Sequence, residues 1–394
     1  MSGQARSKPS AARNPRPRRF LAAEGRCGLR SILFVELLGG LGDLLLALPA
    51  IHALARSHPE ARLTVLTFAP GAALLAADPW VAEVVVAEPG PPEQQGATVA
   101  EVAARGFDLA VSDTRYGGIP DALCSATLVV DDLWRGPLPG ARVDLRFLRL
   151  LAQDGWIAPA YGDLAPRVTL TRDERARATA LLDALRAGGR PAVLLLPEAG
   201  MAIKEWAPQR FSALAHRLVR DGCAVLVAAA RPALARTVAA GVDGAVAVPA
   251  LALRDLAALA AACAACVAGD TGPARLAASV GTPTVALYGP TWAGRFGLRE
   301  EHVSLQSTLP CHVRDPADQT RQSCWYSGRC VFDDRRTCTD DITVAAVHAA
   351  VRVLLAGAPA AAEPGSGRFV MVGEPWAGGG ETADRHEAIR RGVR

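Results

Sequence analysis

The stretch from Ile32 to Pro49, ILFVELLGGLGDLLLALP, constrains this chain more than any other. An apolar run with a β-branched core, Ile32 to Val35, leads into Gly39, Gly40 and Gly42, then Asp43 and an apolar helical pattern. Strand, glycine turn and helix in that order bring backbone close to a ligand at the carboxyl end of a strand. Asp43 is expected to open the helix, where unpaired N–H groups stabilise a negative charge. On this stretch alone it reads as a helix cap or as a functional carboxylate. Gly40-x-Gly42-x-x-Leu45 lacks the third glycine of a dinucleotide fingerprint, and Asp43 would lie against a pyrophosphate. Both points argue against a nicotinamide enzyme.

The same alternation continues along the chain. Strand patterns at 62–68, 83–87, 109–112 and 128–130 are interleaved with helical patterns over 97–104, 144–153 and 172–187. Gly188, Gly189 and Pro191 then mark a junction. The pattern restarts with strands expected at 192–196, 224–228, 245–248, 266–268 and 284–287, separated by helices over 208–220, 232–240, 253–262 and 271–280. Strands alternating with helices imply α/β architecture: two doubly wound parallel sheets with both faces covered and a cleft between facing strand ends. A last helix is expected over 343–357. Residues 1–28 read as a disordered basic lead, and 358–394, rich in Gly, Pro and charge without periodicity, as a disordered tail.

With 394 residues the chain is long enough for two full cores. Its net charge of +4 is too small, and too concentrated at the two ends, to argue for nucleic acid. No run of about 18 uncharged apolar residues occurs, so no membrane-spanning segment is expected, which leaves room only for peripheral membrane contact. Pro17 to Phe20 is similar to a twin-arginine signal, but Glu24, Arg26 and Arg30 interrupt the apolar region that such a signal requires; the expectation is a cytoplasmic protein.

In the second unit GDTGPARLAA, from Gly269, runs from strand residues into Asp270, Thr271, Gly272 and a proline at the first helical turn. Free N–H groups, a hydroxyl and a glycine at a helix start suit a phosphate, and Asp270 suits sugar hydroxyls; the bland alternative is a capped helix. Lys204, in the loop from Pro197 to Phe211, is a mobile cation at the carboxyl edge of the sheet, suited to a diphosphate or simply solvated. Cys311, Cys324, Cys330 and Cys338 are spaced 13, 6 and 8 residues apart. No C-x-x-C pair occurs among them, yet four thiols with His312 near could hold a structural zinc or iron; free buried thiols are the alternative.

Taken together, LLGGLGDLLLALPAIHAL, IKEWAPQRFSALAHRL and AGDTGPARLAASVGTPTVALYGPT resemble glycosyltransferase family 9, the heptosyltransferases, in order and spacing. The resemblance runs from about Ile32 to Leu354. It implies the GT-B fold: a first Rossmann-like unit (29–188) for the acceptor and a second (189–342, with a cysteine-containing loop at 311–338) for the nucleotide-sugar. The final helix is then expected to cross back to the first unit. It further implies Asp43 as the catalytic base, Lys204 on the donor diphosphate and Asp270 on the donor sugar. Thr271 and Gly272 would bind phosphate through backbone, and Gly40 and Gly42 would face the same ligand. Transfer would be inverting and need no metal for catalysis. The donor would be ADP-heptose and the acceptor a glycan, a lipid-linked sugar or a small molecule. Family members commonly carry Lys where this chain has Glu36 and His where it has Arg275, and the ribose loop is replaced by AARPALAR from Ala229. These departures leave a non-catalytic nucleotide-sugar-binding relative as the alternative, or a transferase using another nucleotide-sugar in secondary metabolism.

Overall fold

The computed structural model describes residues 28–131, 133–134, 142–185, 188–315, 319–331, 337–357 and 369–372. The first sheet contains β1 (Ser31–Val35), β2 (Arg62–Phe68), β3 (Glu83–Ala87), β4 (Leu109–Ser112) and β5 (Leu128–Val130), in the order β3-β2-β1-β4-β5. The second contains β6 (Ala192–Leu196), β7 (Ala224–Val227), β8 (Ala245–Ala247), β9 (Ala265–Gly269), β10 (Thr284–Tyr288), β11 (Val303–Ser307) and β12 (Phe369–Val372). Its order is β12-β11-β10-β9-β6-β7-β8, and the pairings in both sheets are parallel.

The central strands are apolar on both faces because helices cover both, as in AVLLL of β6 and ACVAG of β9, which are buried throughout. Strand order reverses between β1 and β4 in the first sheet and between β6 and β9 in the second. A crevice opens at the carboxyl ends of strands at such a switch point. Glu36 and Asp113 directly follow β1 and β4; Asp270 directly follows β9.

The Leu41–Ser57 helix is buried continuously from Leu44 to Ala55. A helix apolar all round needs neighbours on every side. Here they are its own sheet, the Val143–Gln153 helix and, from the second unit, the Gly272–Ser279 helix. One apolar cluster therefore runs from Ile32 and Leu48 through Leu148 to Leu194, Leu259 and Leu276, joining the two units. Truncating a buried leucine of this helix, such as Leu48, to Ala would cost about 2–5 kcal/mol.

Several elements depart from the sequence expectation. The first helix starts at Leu41 with Gly40 as its cap, so Asp43 lies inside the first turn instead of opening the helix. The Ala69–Leu75 helix and β11 were not anticipated; β11 is short and carries polar residues, Ser304, Gln306 and Ser307, on a fully buried strand. The Arg172–Ala184 helix, expected with the first unit, packs along the Leu253–Ala262 helix of the second. The Val344–Leu355 helix, expected to cross back to the first unit, packs against the Pro208–Arg220 helix, β9 and β10 of the second. Within the expected tail, Phe369–Val372 forms β12 and pairs with β11. The lead at 1–27 and the remainder of 358–394 lie outside the described residues.

Candidate functional site

The turn after β1 needs glycine at one position for its backbone: Gly39 has φ of +112°, where a side chain is strained. The chain then enters the helix through Gly40, whose N–H donates to Asp43 Oδ2 at 3.0 Å. Asp43 is thus a cap by contact, folded back over the helix start. Burial raises its pKa, while the Gly40 N–H and the charges of Arg275 and Lys204 pull it down and Asp270 pushes it up. A first-unit carboxylate therefore shares one electrostatic field with three second-unit charges.

In the second unit Thr271 caps the Gly272–Ser279 helix, its hydroxyl accepting from Ala274 N at 3.4 Å, with Pro273 in the first turn. Lys204 Nζ donates to Asp270 Oδ2 at 2.8 Å, and an Arg275 guanidinium nitrogen lies 3.7 Å from Asp270 Oδ1. Burial would raise the Asp270 pKa, but the Lys204 and Arg275 charges hold it below the usual carboxylate value. Arg275 is anchored further by donating to the Phe296 carbonyl.

The two helix starts meet. A Cβ on Gly272 would stand 3.0 Å from Leu41 Cβ and 3.1 Å from Gly42 N, so glycine is what permits the approach. All six binding candidates, Gly40, Gly42, Lys204, Asp270, Thr271 and Gly272, line one cleft of about 540 Å³. That is ample for a sugar nucleotide. Ala228, Ala229 and Ala230 with Leu251, Leu253 and Leu256 give the cleft an apolar flank, and Glu198 closes one side, held by Arg231 at 2.9 Å.

Sequence reasoning missed two groups beside these. Glu36 and Asp113 are buried within the electrostatic reach of Asp43. Glu36 accepts from Thr67 Oγ1 at 2.9 Å and from Leu38 N at 3.2 Å, and burial, then the Asp43 charge, pushes its pKa up to about 7. Asp113 is fully buried with both carboxylate oxygens lacking a hydrogen-bond partner, and burial followed by the charges of Glu36 and Asp43 raises its pKa well above the ordinary value. The second missed group is Trp325, whose ring lies 4.6 Å from Lys204 Nζ. The only sequence signal for it was its place inside the cysteine cluster.

Cys311, Cys324, Cys330 and Cys338 line a separate small cavity together with Ile203, Pro290 and Arg314. All four are free thiols, and burial pushes Cys338 up to about 12. Among the described residues no three His, Cys, Asp or Glu side chains stand close enough together to hold a metal ion, so the four thiols share a cavity without forming a coordination sphere. The donor set itself, four sulfurs facing one space, suits zinc or iron. Among the described residues no helix is long and apolar enough to cross a membrane.

Two doubly wound parallel sheets with their switch points facing across a cleft define the GT-B class of fold. Within that class, residues 143–321 match the model of glycosyltransferase family 9 (heptosyltransferase). Lipopolysaccharide heptosyltransferase 1 of Pseudomonas aeruginosa is 31% identical over 158 residues, 38% of this chain and 42% of that protein. The match to this curated relative thus spans less than half of its length. The solved family 9 glycosyl transferase of Veillonella parvula superposes with a TM-score of 0.70 at 16% identity, covering 84% of this chain and 98% of that one. E. coli ADP-heptose lps heptosyltransferase II gives 0.60 at 18% identity, over 83% and 99%. The iron-containing dodecameric glycosyltransferase TibC of enterotoxigenic E. coli gives 0.54 at 17% identity, over 83% and 78%. The resemblance seen in the sequence is borne out as a match: residues 143–321 fit the family 9 model, and the whole is built on a GT-B frame.

Proposed function

We propose that this protein transfers a heptose-type sugar, with inversion, from a nucleotide diphosphate sugar to a hydroxyl acceptor. The observation that carries the reading is the placement of Asp43, from the first unit, in one field with Lys204, Asp270 and Arg275, from the second. Asp43 removes the proton of the acceptor hydroxyl, whose oxygen bonds to the anomeric carbon as the bond from that carbon to the diphosphate oxygen breaks. Base and leaving-group contacts come from opposite units, Asp43 from the first and Lys204 from the second; in the proposed reaction the nucleophile enters opposite the departing diphosphate, and configuration inverts. The charge that develops on the diphosphate meets Lys204, Arg275 and the N–H groups at the start of the Gly272–Ser279 helix. These groups supply in the protein what a catalytic metal supplies elsewhere. Asp270, held ionised by Lys204 and Arg275, accepts hydrogen bonds from sugar hydroxyls. The apolar flank of Ala228–Ala230 and Leu251 takes the base. ADP-heptose is the donor we favour, in keeping with the solved ADP-heptose-dependent relative.

The test is Asp43→Asn, assayed with ADP-heptose and an envelope-glycan acceptor pool. A positioned base contributes on the order of 100- to 10,000-fold, so kcat should fall in that range while ADP affinity stays within about twofold. Unchanged turnover would remove Asp43 from the chemistry. Binding of ADP-heptose without transfer by the unaltered protein would point instead to a non-catalytic nucleotide-sugar-binding relative.

A structural ion is a second reading, favoured by the four thiols that line one cavity. Cys311, Cys324, Cys330 and Cys338 would hold zinc or iron, which would fix the loop rather than take part in transfer. Elemental analysis of purified protein decides it: one zinc or iron per chain supports the site, and none removes it.

A further inference from the structure

The cysteine segment, with the residues that directly follow it, contacts the donor-site loop along four consecutive residues. Ile203 lines the thiol cavity. Lys204 Nζ lies 4.6 Å from the centre of the Trp325 ring. The Glu205 carbonyl accepts from Thr339 Oγ1 at 3.2 Å. Trp206, buried to 1% exposure, donates from its indole N–H to the Ile342 carbonyl at 2.9 Å. The short helix Ser323–Ser327 carries buried Cys324 next to Trp325, so the element that faces the thiol cavity also presents the indole to the lysine. Lys204 is boxed: its side chain is 15% exposed, with Asp270 at one end of the ammonium and an aromatic face over it.

A lysine side chain is long and has many rotamers, and its charge is most useful in a binding site if those rotamers are already restricted. A Trp face over an ammonium is attractive by about 0.5–2 kcal/mol. Lys204 also stands apart in composition. Lysine and arginine together number 43 in this chain, and only Lys8 and Lys204 are lysines. A compact ammonium fits between an indole and a carboxylate, whereas a planar guanidinium would need the space of both.

We infer that Trp325 is a positioning residue that holds the Lys204 ammonium at the diphosphate end of the cleft, which makes the thiol-lined segment part of the donor site. The inference rests on the proposed reading of the cleft as a nucleoside diphosphate site. Its test is built so that either can fail alone.

Because the chain has two lysines, amine acylation followed by peptide mass spectrometry reads Lys204 against Lys8 as an internal reference. Trp325→Leu keeps apolar bulk without a π face, and Trp325→Phe restores a face. Loss of the indole uncovers the amine and frees its rotamers. The Lys204:Lys8 acylation ratio is therefore expected to rise about three- to tenfold in Trp325→Leu and to return most of the way in Trp325→Phe. ADP affinity, measured by calorimetry, is expected to fall by a similar factor in Trp325→Leu and to recover in Trp325→Phe. An unchanged acylation ratio in a Trp325→Leu protein with an unaltered thermal midpoint overturns the inference, as does a raised ratio with ADP affinity unchanged. If Trp325→Leu does not fold, the Phe variant decides: a ratio and affinity near those of the unaltered protein support positioning by an aromatic face, and a ratio raised as far as an exposed lysine overturns it. If the unaltered protein binds neither ADP nor the GDP, UDP and dTDP analogues, the diphosphate reading fails and positioning for a diphosphate fails with it. The acylation ratio then still shows whether the Trp325–Lys204 contact exists.

Discussion

The two strand edges that meet in the cleft carry opposite charge and treat burial in opposite ways. On the first edge, Glu36, Asp43 and Asp113 are three acids in mutual electrostatic reach, two of them buried with no ion-pair partner among the described residues. On the second, Asp270 is just as deeply set but is matched by Lys204 and Arg275, beside a helix start. A buried charge is tolerated when paired and is otherwise neutralised by a proton. The second edge therefore stays ionised and presents its cations, while the first keeps protons on its deepest acids. On the proposed reading a diphosphate would settle against the second edge, and the acceptor hydroxyl would arrive at Asp43 on the first.

The largest effect on this contrast, apart from loss of the Asp43 base, is expected from Lys204→Met. A hydrogen bond to a charged group is worth about 1.5–3 kcal/mol, so ADP affinity should drop roughly ten- to a hundredfold, by calorimetry. Lys204→Arg should recover little of it, since the indole and Asp270 leave room for an ammonium. If Asp43→Asn weakens ADP binding as much as Lys204→Met does, the two edges do not divide the work between base and diphosphate.

Gly272→Ala tests how closely the edges approach. The new Cβ would meet Leu41 Cβ at 3.0 Å and Gly42 N at 3.1 Å, and a backbone atom cannot rotate away. Overpacking of this kind costs about 1–3 kcal/mol, and the expected result is a thermal midpoint lower by several degrees together with weaker ADP binding. A midpoint unchanged from the parent would mean that the helix starts stand farther apart in solution.

How much the sequence disclosed depends on which physical signals are local. Parallel strands buried on both faces read as apolar runs, so β1, β6 and β9 and the turns after them could be placed by inspection. The candidate binding residues sit on those turns, which is why Lys204 and Asp270-Thr271-Gly272 could be singled out and are seen to line one cleft. β11 could not: Ser304, Gln306 and Ser307 are buried through specific bonds, such as Gln306 Nε2 donating to the Tyr288 carbonyl at 2.9 Å, that no pattern encodes. β12 was hidden in a segment with tail-like composition. The final helix was placed wrongly because its apolar face, with Val347 and Val351, fits either unit by pattern, and only packing selects the second. Asp113 and Trp325 were missed for a related reason. The meaning of each depends on a neighbour distant in sequence, Glu36 for one and Lys204 for the other. The scarcity of lysine is a compositional signal, and by itself it sets Lys204 apart from the many arginines.

The smallest effect expected is on pH dependence of stability, and it tests the acid edge by itself. Glu36 ionises in the folded protein only at about 7, against an ordinary value of 4.5. A carboxyl whose folded pKa is raised contributes its full stability below the unfolded value, where both states hold the proton. That contribution is lost as pH rises through the folded value, because the unfolded chain has already given up the proton at no cost. Between pH 6 and pH 8 the parent should lose about 1 kcal/mol on this account, read as a fall of a few degrees in the thermal midpoint. Glu36→Gln carries no titrating group and keeps an oxygen for Thr67 Oγ1, which donates to Glu36 at 2.9 Å, so this part of the fall should vanish. Asp113→Asn should leave this part of the fall in place, since burial and the Asp43 charge are what raise Glu36; it should remove instead the separate fall that the raised Asp113 carboxyl adds. A parent and a Glu36→Gln protein that lose stability in parallel across this range would show that Glu36 ionises freely. The first edge would then be open to water and would carry the Glu36 charge beside that of Asp43.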